Sequence, residues 1–368
     1  MLKSLDYVAQ IRPYVPGKPI SELERELGIS GSIKLASNEN PLGPSKRAIK
    51  AIKTFLNNPT ELGRYPDGGG FYLRSAIANK ISTSNRYFGI ESIILGNGSN
   101  ELIDIAVRTY MTHGDEAVMA TPSFVVYAMA VRSVGATAIE VPLVDYRHDL
   151  KRMADAITAK TKIVFIANPN NPTGTINTKE EFKALLKKVP QDVLLIVDEA
   201  YIEYVTDRSY PDSLKFLYEG RNVLVLRTFS KAYGLAGLRI GYGISKPEII
   251  TELNKIREPF NTNSLSQVAA LAALLDKAHL RKSIQVNNEG KQYLYSALTE
   301  MGIKYVPSET NFIYIPLTTD ASILYNAMLK EGVIIRPVGP KEIRVTIGLP
   351  EENQRFIEVF KKVLNNTT

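Results

Sequence analysis

A short apolar run, Asn222-Val-Leu-Val-Leu226, passes directly into Arg227-Thr-Phe-Ser-Lys-Ala-Tyr-Gly-Leu-Ala-Gly-Leu-Arg239. A second apolar run upstream, Val193-Leu-Leu-Ile-Val197, ends in Asp198-Glu-Ala-Tyr201. Continuous apolar runs of this length are typical of strands buried on both faces of a parallel sheet. The carboxyl ends of such strands meet at one edge of the sheet, where open α/β folds bind their ligands. We therefore expect Lys231 and Asp198 to lie at the same ligand-binding edge.

The pairing of a lysine with an aspartate at this edge indicates a pyridoxal phosphate (PLP) site. An enzyme of that kind needs an amine that holds the cofactor as a Schiff base, and Lys231 supplies one. It also needs a carboxylate that keeps the pyridine nitrogen protonated, so that the ring can accept electrons, and Asp198 suits that role. Ser230 precedes the lysine and Gly234 and Arg239 follow it, which places phosphate-binding groups on both sides of a compact turn.

The bulk composition excludes several classes of protein. The chain has 368 residues, 44% of them hydrophobic, which is enough for two packed units. No apolar run approaches the ~20 residues that span a bilayer and no signal peptide is evident, so we expect a cytoplasmic protein without membrane contact. The net charge of +7 is dispersed, which argues against a nucleic-acid partner and favours small anionic substrates. With no cysteine and three scattered histidines, the sequence predicts no disulfide and no metal site.

The pattern of the chain predicts an α/β fold, with a mostly parallel central sheet covered by helices on both faces. Between about residues 93 and 244, short apolar runs alternate with amphipathic stretches. One of these stretches has Phe182, Leu185 and Leu186 at helical spacing and predicts a crossover helix. The last run, Gly241–Ile244, is expected at an edge of the sheet. The other predicted strands of this sheet are 92–95, 116–119, 137–141, 162–167, 193–197 and 223–226.

The two ends of the chain are assigned to one smaller α+β domain, residues 1–43 and 261–368, packed on a large domain of residues 44–260. The first segment is rich in proline and glycine and has one amphipathic stretch at 20–27. The last segment has long helical patterns and a final helix to residue 364. Its predicted strands are 311–315, 332–336 and 342–347.

Two further segments carry turn residues directly after predicted strands. Gly96-Asn-Gly-Ser-Asn-Glu101 opens a helical pattern, where backbone N–H groups can bind a phosphate; a simple helix cap by Ser99 is an equally good interpretation. In Asn168-Pro-Asn-Asn-Pro-Thr-Gly174, an asparagine amide can bind the ring oxygen of a cofactor, although most such clusters are only tight turns. The Tyr201 hydroxyl can reach the same oxygen. Read alone, Asp198 is also compatible with a helix N-cap, and Tyr201 with an ordinary half-buried tyrosine.

Together these segments resemble the class I and II aminotransferases, PLP-dependent enzymes of fold type I, over nearly the whole chain. Asn-Pro-x-Asn-Pro-Thr-Gly, Asp-Glu-Ala-Tyr and Ser-Lys-x-aromatic-Gly-Leu-x-Gly-x-Arg occur in the family's order. The resemblance implies that Lys231 forms the aldimine and moves the proton, that Asp198 pairs with the pyridinium and that Tyr201 completes the catalytic set. Phe124, often a tyrosine in the family, is implied to stack on the ring. The other implied cofactor contacts are Asn171 on the ring hydroxyl and Ser99, Asn100, Ser230 and Arg239 on the phosphate.

The flanking segments narrow the resemblance to the histidinol-phosphate aminotransferase family, which acts in histidine biosynthesis. It implies a homodimer with shared sites, in which Tyr65 contacts the cofactor phosphate of the other subunit. The implied substrate contacts are Tyr14, Asn40, Arg336 and Arg344. The segments that carry this resemblance are Arg12-Pro-Tyr-Val-Pro-Gly-Lys-Pro-Ile-Ser-Glu-Leu23, Leu35-Ala-Ser-Asn-Glu-Asn-Pro-Leu-Gly-Pro-Ser45, Arg64-Tyr-Pro-Asp67 and Ile343-Arg-Val-Thr-Ile-Gly348.

The implied reaction moves an amino group between histidinol phosphate and 2-oxoglutarate. Arg336 and Arg344 flank a turn that can bring two guanidinium groups together for a phosphate or a carboxylate, whereas exposed strand charges are the alternative. An aromatic amino acid aminotransferase is the nearest alternative function, because a phenyl ring can replace imidazole, and a related PLP-dependent decarboxylase is less favoured. A PLP-binding transcription regulator is rejected, because the family pattern begins near residue 35 and leaves no room for a DNA-binding module.

Overall fold

The computed structural model describes residues 2–367. The helices are α1 (Asp6–Ala9), α2 (Ile20–Leu27), α3 (Lys46–Leu56), α4 (Pro59–Leu62), α5 (Phe71–Ile81), α6 (Ser99–Tyr110), α7 (Val126–Ser133), α8 (Leu150–Asp155), α9 (Lys179–Lys188), α10 (Ser213–Tyr218), α11 (Pro247–Ile256), α12 (Ser264–Leu275), α13 (Lys277–Glu300), α14 (Ala321–Lys330) and α15 (Pro350–Thr367). The strands are β1 (Ile33–Lys34), β2 (Ile93–Gly96), β3 (Glu116–Thr121), β4 (Thr137–Pro142), β5 (Thr161–Ala167), β6 (Leu194–Asp198), β7 (Val223–Thr228), β8 (Gly241–Ile244), β9 (Phe312–Pro316), β10 (Val333–Ile334), β11 (Arg336–Gly339) and β12 (Glu342–Thr346).

Seven strands form the central sheet, in the order β2-β8-β7-β6-β5-β3-β4. The pairs among β3, β4, β5, β6 and β7 are all parallel. Strand β8 runs antiparallel to both of its neighbours. The predicted α/β fold with a mostly parallel sheet is therefore confirmed.

The predicted edge position of β8 is wrong, because this strand lies inside the sheet between β7 and β2. After β7 the turn that carries Lys231 reverses the chain, and the Phe229 N–H donates to the Ile240 carbonyl oxygen at 3.1 Å. Strand β8 therefore returns alongside β7. Gly241 suits this position, since a Cβ there would lie 2.4 Å from the amide nitrogen of Ser99.

Alternate residues of the central strands face opposite sides of the sheet, as the two-residue period of a strand requires. In β5, Val164 and Ile166 pack in one hydrophobic cluster with α5, α9 and α12. Ile163 and Phe165 pack in a second cluster with α6, α7 and α11. The predicted crossover helix is α9, whose apolar side chains are buried. Helices thus cover both faces.

A smaller antiparallel sheet, in the order β11-β12-β9, packs with α13, α14 and α15 around a separate core. Strand β1, from the first part of the chain, pairs in parallel with β10, from the last part, so both ends contribute to this unit. The predicted strand at 332–336 is interrupted in the structure. Its first half, β10, pairs with β1, and its second half begins β11, which pairs with β12.

Helix α12 packs on the large unit, although the expected domain boundary at residue 260 assigns it to the small one. Its buried residues Ala269, Ala270, Ala273 and Leu274 belong to the same core as side chains of α3 and α5. The contacts of α12 therefore favour a boundary after this helix. The division of the chain into two domains otherwise stays a prediction.

The turn after Lys231 contacts the segment that precedes α3. Gly234 has a φ of 69°, and a Cβ at this residue would lie 2.2 Å from the carbonyl oxygen of Gly43. Nε2 of His279, in the first turn of α13, lies 3.1 Å from the same carbonyl oxygen. Gly234 is therefore required both by its left-handed backbone and by the close approach of the two segments.

We expect Gly234→Ala to lower the thermal unfolding midpoint more than Gly220→Ala does. Gly220 also has a left-handed backbone, with a φ of 88°, but a Cβ there meets no heavy atom within 4 Å. The Gly220 variant therefore reports backbone strain alone, about 1–2 kcal/mol. Scanning calorimetry of the two proteins measures the difference. Equal unfolding midpoints would show that the turn can move away from Gly43 without a loss of stability.

Candidate active site

One cavity of about 390 Å³ lies at the carboxyl ends of β6 and β7. The large unit supplies most of its wall, and Tyr14, residues 37–39 and Arg344 supply the remainder. The structure brings most of the predicted site residues to this cavity. They are Tyr14, Ser99, Asn100, Phe124, Asn171, Asp198, Tyr201, Ser230, Lys231, Arg239 and Arg344.

Asp198 is the last residue of β6 and its side chain is buried. Its carboxylate accepts a hydrogen bond from the Tyr127 hydroxyl at 2.7 Å and another from the Ala200 N–H at 3.1 Å. Burial raises the pKa of Asp198, and these two hydrogen bonds oppose the rise. A desolvated carboxylate held in this way favours a cationic partner such as a protonated ring nitrogen. Asp198 ends a strand and caps no helix, so the N-cap interpretation is wrong.

The amine of Lys231 lies in the same cavity and donates to the Ser37 carbonyl oxygen at 3.1 Å. It also lies 5.8 Å from the ring centroid of Tyr201. Burial lowers the pKa of Lys231 to about 7, and the positive charge of Arg344 contributes to the shift. A large fraction of the amine is therefore uncharged near neutral pH, which is the form that attacks a carbonyl carbon.

Helix α6 begins beside Arg239 and forms a cradle for an anion. Its N-cap is Gly98, with a φ of 79°, and Ser99 is the first helical residue, so the interpretation of Ser99 as the cap is wrong. A Cβ on Gly98 would lie 2.6 Å from Nη2 of Arg239. Nη1 of Arg239 donates to the Ala236 carbonyl oxygen at 3.1 Å and lies 3.5 Å from Oγ of Ser230. Backbone N–H groups, a hydroxyl and a guanidinium together suit a phosphate.

Tyr201 and Asn171, the two residues expected to bind a ring hydroxyl, both line the cavity. Tyr201 is only 4% exposed, and its hydroxyl accepts a hydrogen bond from Nδ2 of Asn38 at 2.9 Å. Burial raises the pKa of Tyr201 to about 12, so this phenol stays protonated and can donate. The amide oxygen of Asn171 accepts a hydrogen bond from Nη1 of Arg344 at 2.5 Å, which leaves the amide nitrogen as a donor to a ligand.

Arg344 and Arg336 stand opposite each other in the pair of strands β11 and β12, as the predicted turn requires. Nη2 of Arg344 donates to the Ala36 carbonyl oxygen at 2.7 Å. Nε of Arg344 is buried and has no hydrogen-bond partner among the described residues. Arg336 donates to the Val15 carbonyl oxygen at 2.8 Å and lies 5.4 Å from the Tyr14 ring. Arg344 therefore faces the cavity, while Arg336 lies behind Tyr14.

Asn40 does not line the cavity, so its contact with the substrate stays a prediction. Its amide nitrogen donates to the Ala232 carbonyl oxygen and to the Ser283 hydroxyl, both at 2.9 Å. Its amide oxygen accepts from the Leu42 N–H at 3.0 Å. Both donor hydrogens are thus used within the protein, where they hold the segment around Asn40 against the lysine turn.

Tyr65 lies outside the cavity of its own chain. Its side chain is 81% exposed and stacks on Phe260, with ring centroids 4.6 Å apart. The contact expected for Tyr65 is with the site of another subunit, so its role stays a prediction.

Two cavity residues, Tyr127 and Asn38, have no role in the sequence-based predictions. Tyr127 lies in the first turn of α7, three residues after Phe124, which is expected to stack on the ring, so closeness in the sequence was a usable signal. Asn38 lies inside a quoted segment, but its backbone has a φ of 56° and its partners are far away in the sequence. Nothing local in the sequence indicates them.

The three histidines lie outside the cavity. No group of histidine and acidic side chains within residues 2–367 is arranged to hold a metal ion. The same part of the chain contains no helix that is long and apolar enough to cross a membrane.

Comparison with known proteins identifies the family. A model of aminotransferase class I and II matches residues 30–360. The chain belongs to the class I and II aminotransferases. Among similar aminotransferases, the histidinol-phosphate aminotransferase of Moorella thermoacetica is 48% identical over 98% of this chain and 93% of its own length. That of Caldicellulosiruptor saccharolyticus is 43% identical, with 98% and 99% covered.

Solved structures give the same result for the fold. The histidinol-phosphate aminotransferase of Sinorhizobium meliloti, determined in complex with pyridoxal-5'-phosphate, has a TM-score of 0.90 and 28% identity. The match covers 100% of this chain and 99% of that chain. An aspartate aminotransferase variant from Thermus thermophilus shares the fold with a TM-score of 0.84 at 22% identity. The predicted fold type I is thereby confirmed.

Membership of this aminotransferase family implies PLP as the cofactor, and the residues of the cavity fit it. Lys231 offers an amine with a lowered pKa, and Asp198 offers a buried carboxylate. The start of α6 with Arg239 offers a phosphate cradle that a Cβ on Gly98 would fill. Phe124 lines the cavity and meets the ring of Tyr127 edge-on, with centroids 5.6 Å apart.

We expect covalent attachment of PLP to the cofactor-free aminotransferase to become faster as the pH rises through about 7, and not through 10.5. Below its pKa the Lys231 ammonium has no lone pair, and above it the free amine can attack. Borohydride trapping after brief mixing at a series of pH values, followed by peptide mapping, measures both the rate and the labelled lysine.

Lys80 is a matched control for this experiment. Burial lowers its pKa too, but it does not line the cavity, so it should carry no label. Lys231→Ala should lose the label and bind PLP only non-covalently. A pH midpoint near 10.5 for the attachment rate, or a label on Lys80, would contradict the assignment.

Proposed function

We propose that this chain is a histidinol-phosphate aminotransferase. It would convert histidinol phosphate and 2-oxoglutarate into imidazole acetol phosphate and glutamate. The relatives that carry this name match almost the whole chain, including the first segment and strands β11 and β12. The observation that carries the proposal is the guanidinium of Arg344, which faces the cavity with a buried Nε that has no partner.

PLP, when bound, takes up the amino group and supplies the electron sink that stabilises the carbanion at the donor carbon. Lys231 would hold it through its uncharged amine and, when free, would move the proton from the donor carbon. Asp198 keeps the ring nitrogen protonated, while Tyr127 fixes the direction of the carboxylate. Tyr201 and Asn171 donate hydrogen bonds to the ring oxygen.

Arg344 supplies the specificity for an anionic substrate. A guanidinium fork binds a phosphate or a carboxylate through two parallel hydrogen bonds. The same group can therefore accept the phosphate of histidinol phosphate and, in the second half-reaction, a carboxylate of glutamate. Because burial of an uncompensated charge is costly, the cavity favours a ligand that brings the opposite charge to this position.

We expect histidinol phosphate to exceed unphosphorylated histidinol in kcat/KM by at least about 10²-fold, since the analogue leaves buried donors without their anion. Arg344→Ala should lower kcat/KM for histidinol phosphate and for glutamate alike. Arg344→Lys, which keeps the charge and loses the fork, should give an intermediate loss. Single-turnover rates of the purified variants with each amine measure these effects.

Two outcomes would change the assignment. A loss for glutamate alone in Arg344→Ala would place the phosphate of the substrate elsewhere. A higher kcat/KM for phenylalanine or tyrosine than for histidinol phosphate would favour an aromatic amino acid aminotransferase. Neither outcome alters the fold or the roles of Lys231 and Asp198.

We also propose a homodimer with shared sites, supported by an exposed aromatic patch. Tyr65, Phe71 and Tyr72 are 81%, 54% and 75% exposed, and Phe260, which stacks on Tyr65, is 44% exposed. Exposed aromatic pairs of this kind are stabilised when a second chain covers them. In such a dimer, Tyr65 reaches the cofactor phosphate of the other subunit.

We expect subunit exchange between Tyr65→Phe and Lys231→Ala to restore activity. If Tyr65 acts on the other subunit, each mixed dimer has one site with both defects and one site with neither. The matched control mixes Tyr201→Phe with Lys231→Ala: both residues belong to one site, so no intact site forms. A Tyr65 mixture that stays as inactive as the control, despite proven exchange, would contradict a role in the other subunit.

A further inference from the structure

Three consecutive residues, Ala36, Ser37 and Asn38, each contact a different functional side chain of the cavity. The Ala36 carbonyl accepts from Arg344 at 2.7 Å, and the Ser37 carbonyl accepts from Lys231 at 3.1 Å. Asn38 differs from the other two because it contacts the site through its side chain. Its Nδ2 donates to the Tyr201 hydroxyl at 2.9 Å, and it is 1% exposed.

The orientation of the Asn38 amide follows from its other hydrogen bonds. The Thr346 hydroxyl oxygen accepts from the Asn38 N–H at 2.9 Å and donates its own hydrogen to Oδ1 of Asn38 at 3.2 Å. Nδ2 of Asn311 donates to the Asn38 carbonyl oxygen at 3.0 Å. In this arrangement Oδ1 faces Thr346 and the amide nitrogen faces Tyr201, so Asn38 donates to that phenol.

A phenol that accepts a hydrogen bond on one side must direct its single proton elsewhere. Asn38 donates to the Tyr201 oxygen from the segment that precedes α3, and both residues line the cavity. We propose that Asn38 is a positioning residue, which directs the Tyr201 proton into the cavity and towards the ring oxygen of the cofactor. The inference rests on the role proposed for Tyr201.

Strand β12 holds Asn38 in this orientation through Thr346. Thr346 lies two residues after Arg344 on the same strand, so the two side chains are on one face. The Thr346 N–H also donates to the Leu35 carbonyl oxygen at 2.8 Å. Asn38 is therefore held by the strand that carries the anion-binding arginine, and the direction of the Tyr201 proton is tied to the position of that strand.

The test compares Asn38→Asp, Tyr201→Phe and the double variant, each loaded with PLP. A hydrogen bond donated to the ring oxygen favours its anionic form and so lowers the pH midpoint of the visible absorbance change. Aspartate keeps the shape of asparagine and tolerates its left-handed backbone, but it accepts from Tyr201 and turns the proton away from the cavity. We expect Asn38→Asp to raise the midpoint by about one pH unit, in the same direction as Tyr201→Phe.

The double variant decides whether Asn38 acts through the hydroxyl. If it does, adding Asn38→Asp to Tyr201→Phe, which lacks the hydroxyl, should move the pH midpoint by less than about 0.3 pH unit. If the new carboxylate acts only by its charge, the two shifts add and the proposal is overturned. Uncharged Asn38→Gly, which also accepts the backbone angle, should raise the midpoint less than Asn38→Asp and likewise lose its effect in the Tyr201→Phe background.

A third comparison separates this inference from the function on which it rests. A midpoint that Tyr201→Phe leaves unchanged would remove Tyr201 from the cofactor and overturn both. A clear shift in Tyr201→Phe with no shift in either Asn38 variant would overturn the positioning role alone. Equilibrium titration with PLP gives a second readout, in which Asn38→Asp should weaken binding to the same extent as Tyr201→Phe.

Discussion

The extended segment from Ile33 to Pro44 joins the two units of the molecule, and the site depends on it. At its start, β1 pairs with β10 of the small unit. At its end, the Gly43 carbonyl lies against Gly234 of the lysine turn and against His279 of α13. Between these points its backbone and one side chain contact the functional groups of the cavity. The position of the small unit and the geometry of the site are thus set by one short stretch of chain.

The electrostatics of the cavity follow from which charges are buried there. Lys231, Arg239 and Arg344 lie around a single buried carboxylate, Asp198. Glu39 also lines the cavity and is paired to Lys34 at 3.0 Å. Burial, with the positive charges of Arg344 and Arg239, lowers the pKa of Lys231 to about 7, so the lysine can release its proton near neutral pH. The site therefore combines strong attraction for anions with a neutral nucleophile.

The sequence was sufficient for those parts of the fold that local pattern determines. Strands β5, β6 and β7 are continuous apolar runs, and the residues that follow them must meet at one edge, so Lys231, Asp198 and Asn171 could be placed together. The order of the strands in the sheet was harder to predict from the sequence. The position of β8 between β7 and β2 depends on a chain reversal and on the close approach of Gly241 to Ser99. The contacts of Asn38 and the structural role of Asn40 join residues that are more than 160 positions apart, and no periodicity reports such pairs.

The Ser37 carbonyl oxygen gives the amine of Lys231, the residue proposed as catalytic, a hydrogen-bond acceptor when it is free. An amine that leaves its covalent partner in a closed, desolvated cavity would otherwise be an unsatisfied donor, and would have to wait for water to enter. Here an acceptor fixed in the backbone already lies 3.1 Å from that nitrogen. In the proposed reaction, the free lysine would therefore keep a hydrogen-bond acceptor inside the cavity, close to the carbon whose proton it is proposed to move.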